Sequence, residues 1–319
     1  MAADHIRTSI HLRPPIYRST KSNIMPSLPS ARNSGRVDLK PREINILGIV
    51  EIGSYHYKSA QRGIKGVVHP GCLGICHLAR GMQTYRVNER LYRLSGGDQL
   101  ITFPGDTLDT AGTPEEKGHL YWFILRMKFI DGPLLFLEPK AAIGLRKALL
   151  ALPTRHFSAH SESDELAATI LNMLQTKPTR MIDRLASAQI ILRYLFQVIE
   201  ASSSERASQP SPRIQRTLDH IAAQLSDQLP VPALADHIGL SESRFKSRFR
   251  DEVGIPPGDY VLRGKINAAC EALTQIDTPI TQIAHSLGFS SSQYFATVFR
   301  RFTGDTPTAY KRKQQNPSA

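Results

Sequence analysis

Apolar residues recur along this chain with three different rhythms, and each change of rhythm marks a boundary. Residues 1–40 have almost no rhythm: Pro14, Pro15, Pro26 and Pro29 sit among serines and arginines, a composition that buries too little apolar surface to offset chain entropy. A disordered basic segment is expected there. Met25 offers an internal start, so the segment reads equally well as an extension from a wrongly chosen start codon, and no function is assigned to it. From Ile44 to about Phe129 short runs rich in β-branched and aromatic residues alternate with turn formers. Leu73 to Ala79, Thr84 to Val87, Leu91 to Leu94, Gln99 to Phe103 and Leu120 to Phe129 read as strands, with Asn88-Glu89-Arg90 and Gly96-Gly97-Asp98 as turns. Closely spaced strands of this kind predict a small antiparallel barrel or sandwich.

After Pro133 the spacing changes to three and four residues, which predicts helices over Glu138 to Leu152, Asp164 to Leu174 and Met181 to Ile199. The last carries Ile182, Leu185, Ile190, Ile191, Tyr194, Leu195 and Val198, more apolar surface than one face needs against a small barrel. Then a stretch of serines and prolines from Ala201 to Pro212 reads as a flexible linker, with few contacts expected across it.

Beyond the linker one pattern occurs twice. Leu234 to Arg250 is echoed by Ile283 to Arg300: Ala235 and Gly239 recur as Ala284 and Gly288 at an offset of 49. Phe245, Phe249, Arg250, Gly254, Pro257 and Tyr260 recur as Phe295, Phe299, Arg300, Gly304, Pro307 and Tyr310 at an offset of 50. Each copy fits a helix-turn-helix. The small alanine lets a second helix cross closely, the glycine supplies a tight turn, and phenylalanines four apart anchor the next helix by one face. Pro230 and Pro279 lie just ahead of the first helix of each copy, where proline is tolerated. Between the copies, Pro257 to Thr274 carries an apolar helical stripe about 27 Å long at 1.5 Å per residue. That length suits two recognition helices in successive major grooves, about 34 Å apart. The alternative, a helical repeat with no nucleic acid involved, suffers from having too few copies to close a solenoid core.

These residues resemble the AraC/XylS family of bacterial transcription regulators. The resemblance rests on Gly254-x-x-Pro257-x-x-Tyr260-Val261, Lys265-Ile266-x-x-Ala269-x-x-x-Leu273, Ile283-Ala284-x-x-x-Gly288-Phe289 and Gly304-x-x-Pro307-x-x-Tyr310, and it covers about Arg213 to Lys313. Lys265-Ile266 departs from the Arg-Leu more common in the family. In the first half, Gly81, Tyr92-x-Leu94, Gly97-Asp98 and Pro104-Gly105 resemble the cupin-like effector domain that precedes many such DNA-binding domains. The resemblance implies a multidomain α+β chain. Its parts would be a disordered segment 1–40, a cupin-like antiparallel β-barrel over 41–132, and a helical dimerisation region over 133–201. A linker over 202–212 would lead into an all-α domain over 213–313, with two helix-turn-helix units joined by a linker helix. Carrying the family pattern across places Ser243, Lys246 and Ser247 of the first unit, and Ser292, Gln293 and Thr297 of the second, in the major groove. Arg250 and Arg300, just past the core phenylalanines, fall toward the DNA backbone. The family also implies a small-molecule effector, a homodimer, contact with RNA polymerase and activation rather than repression.

Charge agrees without locating the DNA-binding face. The 319 residues carry a net charge of +12, which suits a polyanionic partner such as double-stranded DNA. Residues 213–319 hold only 13 basic against 10 acidic side chains. Local clustering is more telling: Arg244, Lys246, Arg248 and Arg250 crowd one helix. No apolar run reaches the length of a bilayer span and no signal-peptide pattern opens the chain, so a cytoplasmic protein is expected. Cys72, Cys76 and Cys270 form no disulfide framework.

Enzymatic function is the rival reading. His69, Cys72, Cys76 and His77 are residue types that bind zinc, yet no paired C-x-x-C or H-x-H appears, and both cysteines read as buried thiols. No cofactor and no catalytic residue are expected. His77, Tyr85, Tyr92, His119 and Tyr121 are better candidates for lining an effector pocket, although each is also compatible with ordinary packing. Two alternatives to an effector-responsive regulator stay open: a cupin-type metal enzyme fused to a DNA-binding domain, and an effector-independent DNA-binding protein.

Overall fold

The computed structural model describes residues 35–129, 131–204, 210–274 and 278–315. Of the segment expected to be disordered, residues 1–34 lie outside the described residues, while Arg36–Leu39 form a strand, β1. There follow α1 (Pro41–Ile44), β2 (Ile49–Tyr57), β3 (Val67–Val68), β4 (Cys72–Val87), β5 (Arg90–Ser95), β6 (Asp98–Thr102), β7 (Thr107–Asp109) and β8 (Gly118–Arg126). The sheet path is β1-β2-β8-β4-β6-β9, where β9 is His156–Ser158, and β3, β5 and β7 attach beside it. The sheet is not closed. Among described residues β1 pairs only with β2 and β9 only with β6, so no ladder joins the two ends into the expected barrel.

The two strands expected at Leu73 to Ala79 and Thr84 to Val87 are one, β4, of 16 residues. A register shift between Leu78 and Arg80 and a glycine at φ +114, Gly81, carry the strand through the predicted break. The bulge also swaps which side chains face which way. Before it Cys76 and Leu78 point to the inner face of the sheet; after it the odd-numbered Tyr85 and Val87 do.

The two faces bury different cores. Leu73, Ile75, Phe123 and Leu125 face α2 (Pro139–Leu150), α3 (Ser163–Gln175) and α4 (Met181–Ser202), whose Leu149, Ile170, Ile191 and Leu195 complete a large apolar cluster. The opposite face gathers Tyr55, Tyr57, Tyr85, Leu100 and Trp122. The three helices agree with the expected ones to within a few residues.

The C-terminal helices are α5 (Pro212–Ala223), α6 (Val231–His237), α7 (Glu242–Val253), α8 (Pro257–Thr274), α9 (Ile280–Ser286), α10 (Ser292–Thr303) and α11 (Pro307–Gln315). The long helix α8 has the predicted bounds and serves two cores. Its Val261 packs with Ile221, Leu234, Phe245 and Phe249; its Ile266, Ala269 and Leu273 pack with Ile283, Phe295 and Phe299. The duplication is also a duplication of ring geometry. Phe245 to Phe249 and Phe249 to Tyr260 are 5.4 and 5.6 Å between centroids; Phe295 to Phe299 and Phe299 to Tyr310 are 5.6 and 5.4 Å. Lys265, the departure from the family pattern, is buried: its ammonium donates to Asp227 O at 3.0 Å and lies 5.7 Å from the Phe289 ring centre.

Few contacts were expected across the linker. Instead a polar seam joins the β-domain to these helices. Arg263 Nη2 of α8 donates to Glu116 Oε1 at 2.5 Å, and Lys117 Nζ donates to Asp259 Oδ2 at 2.8 Å. Arg301 Nη2 of α10 reaches the other oxygen of Asp259 at 3.2 Å. Main chain meets main chain at both ends of the seam: Gly81 N donates to Gly254 O at 3.3 Å, and Ala60 N to Arg301 O at 2.8 Å. The expected linker lies partly outside the described residues, and its composition says nothing of surfaces far from it in sequence.

Candidate nucleic-acid interface

Helices α7 and α10 occupy the same position in their two copies. Each is held by one apolar face, Phe245 and Phe249 in α7 and Phe295 and Phe299 in α10, all fully buried. Each ends on a left-handed glycine, Gly254 at φ +82 and Gly304 at φ +78, whose N–H caps Arg250 O or Arg300 O. With that face committed, helical geometry turns the remaining positions outward. In α7 Ser243, Arg244, Lys246, Ser247 and Arg250 are exposed; in α10 Gln293, Thr297 and Arg300 are exposed and Ser292 is half-buried.

The outward side chains differ in how they are held. Lys246 forms an ion pair with Glu242 one turn before it, and Ser247 Oγ donates to Asp251 Oδ2 at 3.4 Å. Thr297 Oγ1 donates back to Gln293 O at 3.0 Å. Arg244, Arg250 and Arg300 form no ion pair among the described residues, so their guanidinium groups face solvent uncompensated. Ser291 caps α10, its side chain accepting from Tyr294 N at 3.1 Å.

The residues expected to line an effector pocket fall into two groups on opposite faces of the sheet. His77, His119 and Tyr121 lie together: ring centroids are 6.2 Å apart for His77 and Tyr121 and 4.5 Å for His119 and Tyr121. His77 is fully buried against the helices, its Nε2 2.6 Å from Asp164 Oδ1, with Gln99 Nε2 3.2 Å from Nδ1 and 3.0 Å from Tyr194 OH. Tyr85 and Tyr92 are cross-strand partners on the inner face, and no single pocket gathers all five.

Sequence reasoning missed the inner-face charges. Arg36 of β1 lies 4.5 Å above the Trp122 ring, donates to Tyr57 OH at 3.5 Å and stands 3.6 Å from Glu115 Oε2. Burial pushes the Glu115 carboxyl up to about 7, with Asp38 adding to the rise and Arg36 and Tyr57 opposing it. Only the tyrosines two apart in β2 hinted at this face.

Cys72 and Cys76 belong to the inner cluster while His77 turns to the helices, so the zinc-type residues diverge. Burial raises the Cys76 thiol to about 12, so it is not a thiolate at neutral pH. No group of three or more His, Cys, Asp or Glu among the described residues is placed to hold a metal ion. No helix among them is long and apolar enough to cross a membrane.

The helix-turn-helix domain family matches residues 234–313, both copies of the repeat. The chain is 36% identical over 125 residues to the regulatory protein PocR of Salmonella typhimurium, covering 39% of this chain and 41% of PocR. It is 33% identical over 93 residues to the probable transcriptional regulator LumQ of Photobacterium leiognathi, covering 29% and 38%. It thus spans less than half the length of these relatives. Among solved structures it is similar to a transcriptional regulator of Chromobacterium violaceum with an AraC-type DNA-binding domain, at 25% identity and TM-score 0.31, covering 34% of this chain and 96% of that one. Residues 234–313 form a helix-turn-helix domain.

Proposed function

We propose that this protein is a sequence-specific DNA-binding transcription regulator, not an enzyme, and that a small molecule bound by its cupin-like N-terminal domain controls it. One observation carries the reading: α7 and α10, equivalent helices of the matched domain, are anchored by paired phenylalanines and expose serines, glutamine, lysine and arginine on the free face. Lys246 is suited to guanine O6 and N7, and Gln293 to the adenine edge; Arg250 and Arg300 are suited to phosphates.

Coupling to the effector is supported by three consecutive residues. Glu115 points into the inner cluster, Glu116 holds Arg263, and Lys117 holds Asp259. A ligand that competes for Arg36 or Glu115 acts directly on the strip that grips α8. Thermodynamically, it controls DNA binding only through a difference in affinity between seam arrangements. Dimerisation is supported by the apolar surface of α4, where Ile182, Leu185 and Phe196 are exposed, beside an apolar cleft of about 300 Å³ against α2. We assign the protein an activator's role, with RNA polymerase as its partner at the promoter.

Selection of DNA sites from a random pool with the purified chain tests the reading. A single enriched motif, whose affinity shifts with one member of a metabolite panel, is the expected result. Enrichment of no motif over bulk DNA rules out sequence-specific regulation.

A further inference from the structure

The loop between β2 and β3 touches the second recognition helix, and its chemistry is one-sided. From Lys58 to Lys65 it carries Lys58, Arg62 and Lys65 and no acidic residue. All three are exposed, and none forms an ion pair among the described residues. The middle of the loop is fixed to α10: Ala60 is buried and its N–H donates to Arg301 O at 2.8 Å. Gln61 is tied on the other side by a pair of main-chain bonds with Glu115, at 2.8 and 3.0 Å. Loop and helix enclose a cleft of about 610 Å³ lined by Ser59, Ala60, Gln61, Thr297, Arg300 and Arg301, with Gly304 at its edge. Thr297 and Arg300 belong to the face assigned to DNA, so the cleft opens where a duplex would lie.

Three acids on the elements around this cleft are already compensated. Asp259 is shared by Lys117 and Arg301, Glu115 faces Arg36, and Asp305 is held by Lys313 at 2.8 Å. That leaves Lys58, Arg62 and Lys65 on the loop and Arg300 on α10 as exposed cations with no acidic partner among the described residues, a one-signed surface suited to a polyanion. We propose that the Lys58–Lys65 loop is a second DNA-contacting element: the β-domain takes phosphates of the strand that runs past α10, extending the footprint beyond the helix-turn-helix domain. The chemistry selects a phosphodiester backbone rather than bases, because lysine and arginine on a loop provide charge without a base-reading frame. This inference rests on the DNA-binding reading above.

The test uses the full chain and a duplex carrying its selected site, with affinity measured across a salt series for wild type and for the K58A/R62A/K65A variant. Each lost phosphate contact flattens the log K against log salt slope by about 0.9, so the triple variant should lose about 2.7. Over a fourfold rise in salt its affinity should then fall about 40-fold less than that of wild type. Base preference should be unchanged. The single variants, each flattening the slope by about 0.9, decide the matter in the same way should the triple variant melt early. An unchanged slope overturns the proposal while leaving sequence-specific binding intact. A rise in affinity on neutralisation also overturns it, since the loop would then be obstructing DNA. Failure of the wild-type chain to prefer any duplex removes both this inference and the reading beneath it.

Discussion

Gly254 and Gly96 meet main chain to main chain: a Cβ on Gly254 would lie 2.0 Å from Gly96 N and 2.7 Å from Gly96 Cα. Gly254 closes α7 and Gly96 sits in the turn between β5 and β6, so α7 ends against the β-domain with no room for a side chain. Its counterpart Gly304 has nearly the same backbone angle, yet a Cβ there would meet nothing nearer than Ala60 O at 3.6 Å. The repeats share a cap, and only the first is wedged.

Alanine at the two caps separates these effects. Gly304→Ala should cost about 1–2 kcal/mol, the penalty of a left-handed conformation for a residue with a Cβ. Gly254→Ala carries the same penalty and must also push the β5–β6 turn away. Thermal melts should show the larger loss for Gly254→Ala, and protease cleavage near the seam should rise in that variant alone. Equal melting points would mean the Gly96 contact contributes nothing.

Truncating the shared aromatic anchors should be severe. Phe249→Ala and Phe299→Ala each leave a cavity where a fully buried ring stood, at a cost of about 3–5 kcal/mol. A melting curve like that of wild type would show that the ring is not part of a cooperative core.

Base contacts and phosphate contacts should leave different signatures. Lys246→Ala and Gln293→Ala should relax preference at one or two base pairs, each by roughly 1–3 kcal/mol, with the salt slope little changed. Breaking the Lys246–Glu242 pair costs little, since an exposed pair one helical turn apart is worth roughly 0.3–0.5 kcal/mol. Arg250→Ala and Arg300→Ala should weaken all sites alike and flatten the slope by about 1. Altered base preference in the arginine variants alone would reverse the assignment.

Glu115 predicts a pH signature. Its folded carboxyl sits at about 7 against an ordinary 4.5, so the stability it contributes is complete below pH about 4.5 and is lost as pH rises through about 7. The loss is about 3 kcal/mol for a carboxyl this deeply buried. Glu115→Gln removes the titration, so the difference in stability between variant and wild type should grow across that window. A difference independent of pH would place the carboxyl in water.

The legible parts of this chain are those decided by local periodicity. The offset of 50 between Phe249 and Phe299 marks α7 and α10, and Pro257 with Thr274 bounds α8, because one apolar face per helix is a property of adjacent turns. The strand break expected near Gly81 does not exist: a glycine in a polar stretch looks like a turn, and the β8 ladder that carries the strand onward lies far along the chain. Glu115 is invisible in the sequence for the same reason. It follows Gly112-Thr113-Pro114 in what reads as a surface turn, and the groups around its buried carboxyl, Arg36, Asp38 and Tyr57, arrive from elsewhere in the chain. The candidate effector residues share only their chemical type, and strand parity, reset by the bulge after Leu78, scatters them over two faces.

Asp259 grips Lys117 with one oxygen and Arg301 with the other, so a single carboxylate ties the β-domain to both α8 and α10. Two classes of mutant should therefore map to different surfaces of the same helices. If a small molecule controls the chain as proposed, a selection for strains that no longer require it should collect changes at Asp259, Glu116 and Arg263, where losing one ion pair loosens the hold on α8 and α10. A selection for recognition of an altered promoter should collect changes at Lys246 and Gln293 instead. Alleles of the first kind should keep their promoter, and alleles of the second kind should keep their inducer.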